Sequence, residues 1–320
     1  MLLCNSGRFV LSIGPMRPAN SRSLPLVALP ALLAALAAGC PGKGADGEPP
    51  SPAPTSSPPA APSAARSGYR SRPVEGGHTV EVRVRYQAGA DGASAAASTL
   101  HPPGWDVPAM VRSQCGGAAK AANDALSVAS DGGVDDAVVW LDDIHEGAPV
   151  QAATYEQDEK GCSFLPHVLA MPAAGTLKLT NSDPANHAVR FEFKREGQPE
   201  GDTFTKTLPP GAVYGVEVSS EWAGQWARIT CPIHLWMSSY VHFFEHPYFA
   251  VTKAGVARLE KVPPGRYHVR VWHEGIGVTF ASSLKFPPPE TARAEVAVEQ
   301  GDAKVVFVMG SDGKITGESR

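Results

Sequence analysis

From residue 79 onward, apolar and polar side chains alternate with a period of two, and this pattern limits the chain to β-structure. The first example is TVEVRVRY at 79–86. A strand with one face on a core and the other in solvent has this period, because successive side chains point to opposite faces. Ten further segments repeat the pattern, from DAVVWL at 136–141 to AKVVFVM at 303–309, with Gly- and Pro-containing turns between them. We therefore predict an all-β fold of the sandwich type.

Composition supports this prediction and narrows the function. The chain holds 32 glycines and 30 prolines in 320 residues, which suits turns and short strands better than long helices. Its net charge of −4 gives no reason to expect a nucleic-acid partner. The sequence has no phosphate-binding glycine loop, no Gly-x-Ser-x-Gly elbow and no His-Glu-x-x-His motif. We therefore do not expect an enzyme.

The first 39 residues have the features of an export signal. An uncharged apolar run of 15 residues, 24–38, is too short to span a bilayer comfortably. It ends in LAAGC at 36–40, which resembles the bacterial lipobox, where cleavage leaves the cysteine as the lipidated first residue. We predict a signal peptide at 1–39, with Met16 as an alternative start, and a lipid on Cys40. A plain secretory signal or a short membrane anchor is the alternative.

Residues 40–72 are predicted to tether the lipid to the folded part. Between 41 and 66 the chain has eight prolines and no Val, Ile, Leu, Met or aromatic residue. Such a segment cannot bury enough apolar surface to offset the entropy lost on ordering. Pro41 and Gly42 lack the acidic residue associated with retention in the inner membrane. We therefore expect an exported protein that is lipid-anchored to the cell envelope, with the outer membrane and the periplasm favoured.

Three cysteines remain in the exported part of the chain. Export places Cys115, Cys162 and Cys231 in an oxidising compartment, where at most one pair among them can form a disulfide. Cys115 and Cys162 each lie beside glycine in loop-like sequence, which suits a disulfide; the alternative for these two is a second metal site. Cys231 is followed by His234 and Met237 in TCPIHLWM at 230–237. It is therefore the cysteine that we predict to bind a metal ion.

The residue types at 231–237 favour copper. Two His, one Cys and a weak axial Met form the trigonal arrangement of blue-copper electron-transfer sites. Structural zinc requires four strong ligands, and Met is not one. Copper at this position requires a second histidine. His187, in LTNSDPANHAVRF, follows a strand and a turn, begins another strand, and lies 44 positions before Cys231. In a sandwich, that strand end can lie beside the Cys231 loop.

The stretch 161–245 resembles the small blue copper proteins, the cupredoxins. Two motifs carry the resemblance: NSDPANH at 181–187, and CPIHLWM at 231–237, whose Cys-x-x-His-x-x-Met spacing is similar to that of amicyanins. The resemblance implies a Greek-key β-sandwich with one type 1 copper ion. It also implies four ligands, namely His187, Cys231, His234 and Met237. It further implies that the His234 edge faces solvent, and that the supporting or electron-port residues are Asn181, Asp183, Pro232 and Trp236.

The flanking segments resemble a second family. EHPYFAVT at 245–252 and VPPGRYHVRVWHEG at 262–275 are similar to the carboxypeptidase regulatory-like domain, a small transthyretin-like or Ig-like β-sandwich with a carbohydrate-binding-like fold. The combination resembles exported bacterial proteins of the methylamine-utilisation-like group. We therefore expect a regulatory-like module at 73–160, a copper domain at 161–245 and a second regulatory-like module at 246–320.

The resemblances imply an electron carrier as the first hypothesis for function. It would pass single electrons between redox partners such as a c-type cytochrome or a dehydrogenase. The first alternative is a non-redox lipoprotein that binds a glycan or a protein, with a vestigial copper loop. The second alternative is periplasmic copper storage or delivery.

Overall fold

The computed structural model describes residues 68–87, 113–115, 126–195, 203–275 and 290–319. The predicted signal peptide, Cys40 and most of the predicted tether lie outside these residues. Within the described part of the chain, no helix is long and apolar enough to cross a membrane.

Short strands make up almost all of the regular structure that is described. A single turn of 3-10 helix covers Ser220–Trp222. The strands are β1 Arg70–Ser71, β2 His78–Gln87, β3 Val138–Leu141, β4 Glu146–Gly147, β5 Ala153–Glu159, β6 Phe164–Leu165, β7 Val168–Pro172, β8 Gly175–Asn181, β9 His187–Lys194, β10 Thr203–Leu208, β11 Val213–Glu217, β12 Trp226–Thr230, β13 Ser238–Phe244, β14 Phe249–Val251, β15 Val256–Val262, β16 Arg266–His273, β17 Glu290–Ala297, β18 Ala303–Gly310 and β19 Ile315–Ser319. The prediction of an all-β fold is confirmed.

Strands β5 to β13 form a first sandwich. One sheet has five strands in the order β10-β9-β12-β13-β7, and the other has four in the order β11-β8-β5-β6. The chain crosses between the sheets after β6, β7, β8, β10 and β11, as in a Greek-key sandwich. The two inner faces share one hydrophobic core, to which the five-stranded sheet contributes Phe191 and Ile229 and the four-stranded sheet contributes Leu177 and Leu179. Burial of this core fixes the register of the strands that carry the site described below.

The remaining long strands form a second sandwich. Its sheets have the orders β14-β3-β16-β17 and β15-β2-β18-β19. Val82 and Phe307 from one sheet and Leu141 and Val271 from the other are fully buried in a shared core. The two-residue strands β1 and β4 pair separately, in parallel.

The predicted division into 73–160, 161–245 and 246–320 requires correction. Strand β2, expected in an N-terminal module, pairs with β15 and β18, which were expected in a C-terminal module. Strand β3 pairs with β16 in the same way. Strand β5, also placed before 161, instead pairs with β8 in the first sandwich. The flanking segments therefore form one sandwich together. The sequence did not predict this, because alternation shows which face of a strand is buried but not which strand lies beside it.

The outer face of the five-stranded sheet is covered by the second sandwich. Tyr240 and Phe244 of β13 pack in one cluster with Val138 of β3 and Trp272 of β16. All seven residues of β13 are buried as a result. Strand β13, which follows the Cys231 loop in the chain, is therefore packed against neighbouring residues on both faces.

Candidate metal centre

His187 and Cys231 meet at one end of the first sandwich because of the way two strands pair. Strand β9 begins at His187, and β12 ends at Thr230, the residue before Cys231. The two strands are antiparallel, with Arg190 opposite Thr230. The start of one strand therefore lies beside the end of the other, although the two residues are 44 positions apart in the sequence.

Three donor atoms converge at this point. The Cys231 Sγ atom lies 3.8 Å from His187 Nδ1 and 3.7 Å from His234 Nδ1, and the two Nδ1 atoms are 2.9 Å apart. The residues are buried, with exposed fractions of 0% for His187, 1% for Cys231 and 3% for His234. A sulfur and two imidazole nitrogens thus form a small triangle that solvent barely reaches.

The carboxylate of Asp183 orients the first imidazole. Its Oδ2 atom accepts a hydrogen bond from His187 Nε2 over 2.9 Å. The proton of the neutral ring is therefore on Nε2, and the lone pair of Nδ1 points into the triangle. A second lone pair on His234 Nδ1, at 2.9 Å, would be repelled unless a proton or a cation lay between the two nitrogens. In the absence of a metal ion, a proton on His234 Nδ1 makes this contact a hydrogen bond to His187 Nδ1.

Burial keeps both imidazoles neutral. It lowers the pKa of His187, although the neighbouring Asp183 carboxylate acts in the opposite direction. Burial lowers the pKa of His234 to about 4, and the nearby His187 ring adds to this effect. A neutral imidazole is the form that binds a metal ion, so both rings are ready to act as ligands near neutral pH.

The sulfur of Cys231 receives backbone support. The backbone N–H of His234 donates to Sγ over 3.4 Å. Burial raises the pKa of the Cys231 thiol, while the backbone N–H groups of Ala188, His234 and Ile233 act to lower it. Without a cation, the thiol therefore keeps its proton; a bound metal ion would displace it, since the thiolate is the metal ligand.

Two backbone hydrogen bonds close the loop that carries Met237, the fourth predicted ligand. The Met237 N–H donates to the His234 carbonyl over 2.9 Å, and the Cys231 N–H donates to the Met237 carbonyl over 3.3 Å. Met237 is 2% exposed and lies in the same core cluster as Cys231. The loop therefore places Met237 on the buried side of the site, whereas Pro232 is exposed.

Asn181 and Asp183 hold the turn before His187. The Asn181 side chain donates to the carbonyls of Ala185 and Leu208, each over 2.8 Å, and accepts from the Asp183 N–H over 2.9 Å. Both residues were predicted to support the ligands, and their hydrogen bonds fit that role. The turn is rigid because a fully buried amide is bonded at both ends.

The Cys115–Cys162 disulfide lies beside this centre. The two cysteines are bonded to each other. The Cys162 N–H donates to Asp183 Oδ2 over 2.7 Å, and the Cys162 carbonyl accepts from Trp236 Nε1 over 3.2 Å. Trp236 also contacts the His234 ring, with 5.2 Å between the ring centroids. His234 is therefore almost wholly covered, in contrast to the solvent-facing edge that the cupredoxin resemblance implies.

Two further residues bear on the assignment. His167, the other histidine that could be considered as the upstream ligand, is paired through Nε2 with Glu274 and does not reach the triangle. Glu159 was missed by the sequence analysis: it is 1% exposed, and neither of its carboxylate oxygens has a hydrogen-bond partner. Nothing in ATYEQDE marked this glutamate as buried except its place in the alternation with Tyr155 and Gln157.

Comparison with known proteins gives matches only among solved structures. Neither a scan of protein-family models nor a search of curated proteins finds a match. Among the similar structures are cupredoxins and a copper-containing nitrite reductase. Amicyanin from Paracoccus versutus (Thiobacillus versutus) is 21% identical over 29% of this chain and 84% of its own, with a TM-score of 0.24. A purple cupredoxin from Nitrosopumilus maritimus is 17% identical over 29% and 99%, with a TM-score of 0.23. A Cu-containing nitrite reductase from Thermus scotoductus SA-01 is 20% identical over 31% of this chain and 24% of its own, with a TM-score of 0.25. These similarities extend over less than a third of the chain.

The donor set itself fits copper. One thiol sulfur and two imidazoles in a triangle, with a thioether on the same loop, are the donor types of a trigonal blue-copper site. The Nε2 hydrogen bond from His187 to Asp183 is the outer-shell contact that such a ligand requires. The four residues that would hold the ion are His187, Cys231, His234 and Met237.

Replacing Asp183 by asparagine should weaken copper binding about 10- to 100-fold, the usual cost of losing an outer-shell partner. The substituted amide cannot accept from His187 Nε2, Cys162 N–H and Gly161 N–H together, so the imidazole loses its orientation. Chelator competition monitored by visible absorption measures the change. Glu156→Gln, an exposed change on the same sandwich, is the matched control. Equal affinity in Asp183→Asn and wild type would show that His187 is oriented by other contacts.

Proposed function

We propose that this chain is an exported, membrane-tethered type 1 copper protein that transfers single electrons between redox partners. The observation that carries the proposal is the convergence of Cys231 Sγ with the Nδ1 atoms of His187 and His234, within 3.8 Å of one another in a buried position. The hydrogen bond that fixes the His187 tautomer adds support, because it directs a lone pair into the triangle.

Copper held by these residues would supply one-electron redox chemistry. The protein would keep the donors in place in both oxidation states: His187 is fixed by Asp183, Cys231 by the His234 N–H, and the loop by β12 and β13. Because the donors are buried, a substrate has no open route to a coordination position. The site is therefore suited to passing electrons and not to making or breaking bonds of a substrate.

Apolar side chains beside the site suit a transient partner. Ile233 and Leu235, on either side of His234, are 51% and 53% exposed. We propose that this rim contacts a redox protein such as a c-type cytochrome or a dehydrogenase through a small, short-lived interface.

The anchor is part of the proposal. Cys40 would carry lipid, and the residues between Cys40 and β1 would tether the folded part to the cell envelope, with the outer membrane favoured. The predicted end of the tether at 72 is too late, because Arg70 and Ser71 of β1 pair with β4. Replacing Cys40 by serine should move the protein from the membrane fraction to the soluble fraction, because the acyl chains would be lost while the folded part is unchanged. Immunoblots of both fractions measure this. Membrane association equal to wild type would contradict a lipid on Cys40.

Addition of Cu(II) to the full chain in mild detergent tests the redox function. We expect one copper ion per chain and an intense visible absorption from charge transfer between the Cys231 thiolate and Cu(II). Tight Cu(I) binding without a stable coloured Cu(II) form would favour copper storage or delivery. Absence of bound copper in the folded protein would refute the proposal.

A further inference from the structure

The disulfide beside the proposed copper site belongs to a second group of potential ligands. The sulfurs of Cys115 and Cys162 and one nitrogen of His234 all lie within 4.8 Å of one another. The exposed fractions of these residues are 1%, 0% and 3%. The disulfide therefore lies against a histidine that also belongs to the proposed copper site.

The disulfide is also connected to both imidazoles through other residues. Asp183 Oδ2 accepts from the Cys162 N–H and from His187 Nε2. On the other side, Trp236 donates to the Cys162 carbonyl and packs its ring against His234. A change at Cys162 is therefore felt at both histidines.

We propose that reduction of the Cys115–Cys162 disulfide creates a second metal site, in which Cys115, Cys162 and His234 bind Cu(I). Two thiolates and one imidazole form a soft, three-coordinate donor set, which suits Cu(I). In the oxidised protein the sulfurs are bonded to each other and no thiolate is available, so the site is closed. This inference rests on the proposed function, since His234 belongs to both donor sets.

Reduction of the disulfide and the binding of Cu(I) are two separate steps, and electrons and protons balance in each. A dithiol reductant gives two electrons and two protons to the disulfide and becomes a disulfide itself; the S–S bond of this chain breaks and two thiols form. Binding of one Cu(I) ion then releases the two thiol protons to solvent, leaving two sulfur–copper bonds and one nitrogen–copper bond. No further oxidant is needed for capture.

The shared histidine gives the second site a role in loading. An ion bound by Cys115, Cys162 and His234 would be passed to the Cys231 set by exchange of its sulfur ligands for Cys231. His234 Nδ1 is 3.7 Å from Cys231 Sγ, so the two donor sets meet at this ring. A disulfide oxidant would then accept two electrons and two protons from the thiols of Cys115 and Cys162 and become a dithiol, and the re-formed disulfide would close the entry route. The thiol state of this pair would thus decide when the protein takes up copper.

The test uses the full-length Cys231→Ser variant, in which the first donor set is broken and the second is intact. The protein is reduced with a phosphine, desalted without oxygen, and titrated against the Cu(I)–bathocuproine disulfonate complex. We expect reduction to add two free thiols and about one bound Cu(I) per chain, with affinity at least about 100-fold higher than in the unreduced variant. Adding Cys115→Ser and Cys162→Ser to this variant should remove the gain.

A second variant keeps the test decisive if Cys231→Ser fails to fold. Cys231→Ala also removes the thiolate of the first set and leaves all three residues of the second in place, so reduction should again add one Cu(I) ion. Equal Cu(I) affinity before and after reduction would overturn the inference, and so would a disulfide that stays closed until the protein unfolds. Neither result would affect the proposed function, which is measured as the Cu(II) absorption of the disulfide-bonded wild type.

Discussion

Replacement of Cys231 by serine is expected to abolish the visible absorption of the Cu(II) form and to weaken copper binding by more than about 100-fold. The hydroxyl of serine is a hard donor that stays protonated, whereas the thiolate is the soft ligand whose covalency with Cu(II) gives the colour. Loss of a direct ligand should cost at least as much affinity as the 10- to 100-fold loss typical of outer-shell partners. Visible absorption and chelator competition measure the two effects.

The histidines provide the internal comparison for this prediction. His187 Nδ1 and His234 Nδ1 lie at almost equal distances from the sulfur, 3.8 and 3.7 Å. Substituting either ring by alanine should therefore disturb the absorption to a similar extent. Thr230→Ser, next to Cys231 but without a donor atom in the triangle, is the control and should keep the colour. If His187→Ala leaves the spectrum intact while His234→Ala destroys it, His187 has been assigned wrongly.

The sequence could predict which residues meet because their order along the chain leaves few choices. Cys231, His234 and Met237 lie on one loop, and His187 starts a strand after a turn. In a sandwich, antiparallel pairing brings the start of one strand beside the end of its neighbour, as β9 and β12 show. Their role as copper ligands stays a prediction, whereas their spatial convergence is a property of the fold.

The pairing of distant strands could not be predicted in the same way. Val80, Val82 and Val84 alternate with polar residues whether β2 pairs with a strand near it or with β18, more than 200 residues later. In β13, Tyr240, His242 and Phe244 occupy the face that alternation would leave to polar residues, and all three are buried. The second sandwich covers that face, and this explains the aromatic residues.

The burial of His234 depends equally on contacts that are remote in sequence. Cys115 lies 119 positions before His234, and their proximity follows from the disulfide to Cys162 and from the position of Cys162 beside Asp183. Sequence spacing indicates that a disulfide is possible, but not which residue it packs against. The sequence therefore could not predict that Trp236 and the disulfide leave the His234 ring only 3% exposed.

The buried carboxyl group of Glu159 is expected to have a large, pH-dependent effect on the free energy of unfolding. Its side chain is 1% exposed, both carboxylate oxygens lack hydrogen-bond partners, and β8 and β6 flank it on the two sides of its sheet. Burial raises the pKa of Glu159 to about 8, and the negative charges of Asp183 and Asp158 contribute. In the unfolded chain the group titrates near 4.5. Between these values the folded protein keeps a proton that the unfolded chain releases, so the free energy of unfolding falls as pH rises through this window.

Glu159→Gln should therefore stabilise the metal-free protein increasingly as pH rises from 4.5 to 8. A pKa difference of this size corresponds to a gain of about 5 kcal/mol, reached near pH 8 and constant above it. Urea unfolding at a series of pH values measures the difference between variant and wild type. Burial lowers the pKa of His242 to about 3, so this histidine destabilises the fold in acid. Variant and wild type share this opposite pH dependence, and the difference between their free energies of unfolding therefore removes it.

Glu156→Gln is the matched control for Glu159→Gln, because it makes the same change three residues away on the same strand. Glu156 is exposed and bonded to Lys178 and Thr180, and the hydrogen bond from Lys178 lowers its pKa. Its loss should give no gain in stability at any pH, since a group with a lowered pKa stabilises the fold when ionised. The decisive quantity is the slope of the Glu159→Gln difference between pH 4.5 and 8. A flat difference would mean that Glu159 is ionised in the folded protein, and that solvent or a cation reaches its carboxylate.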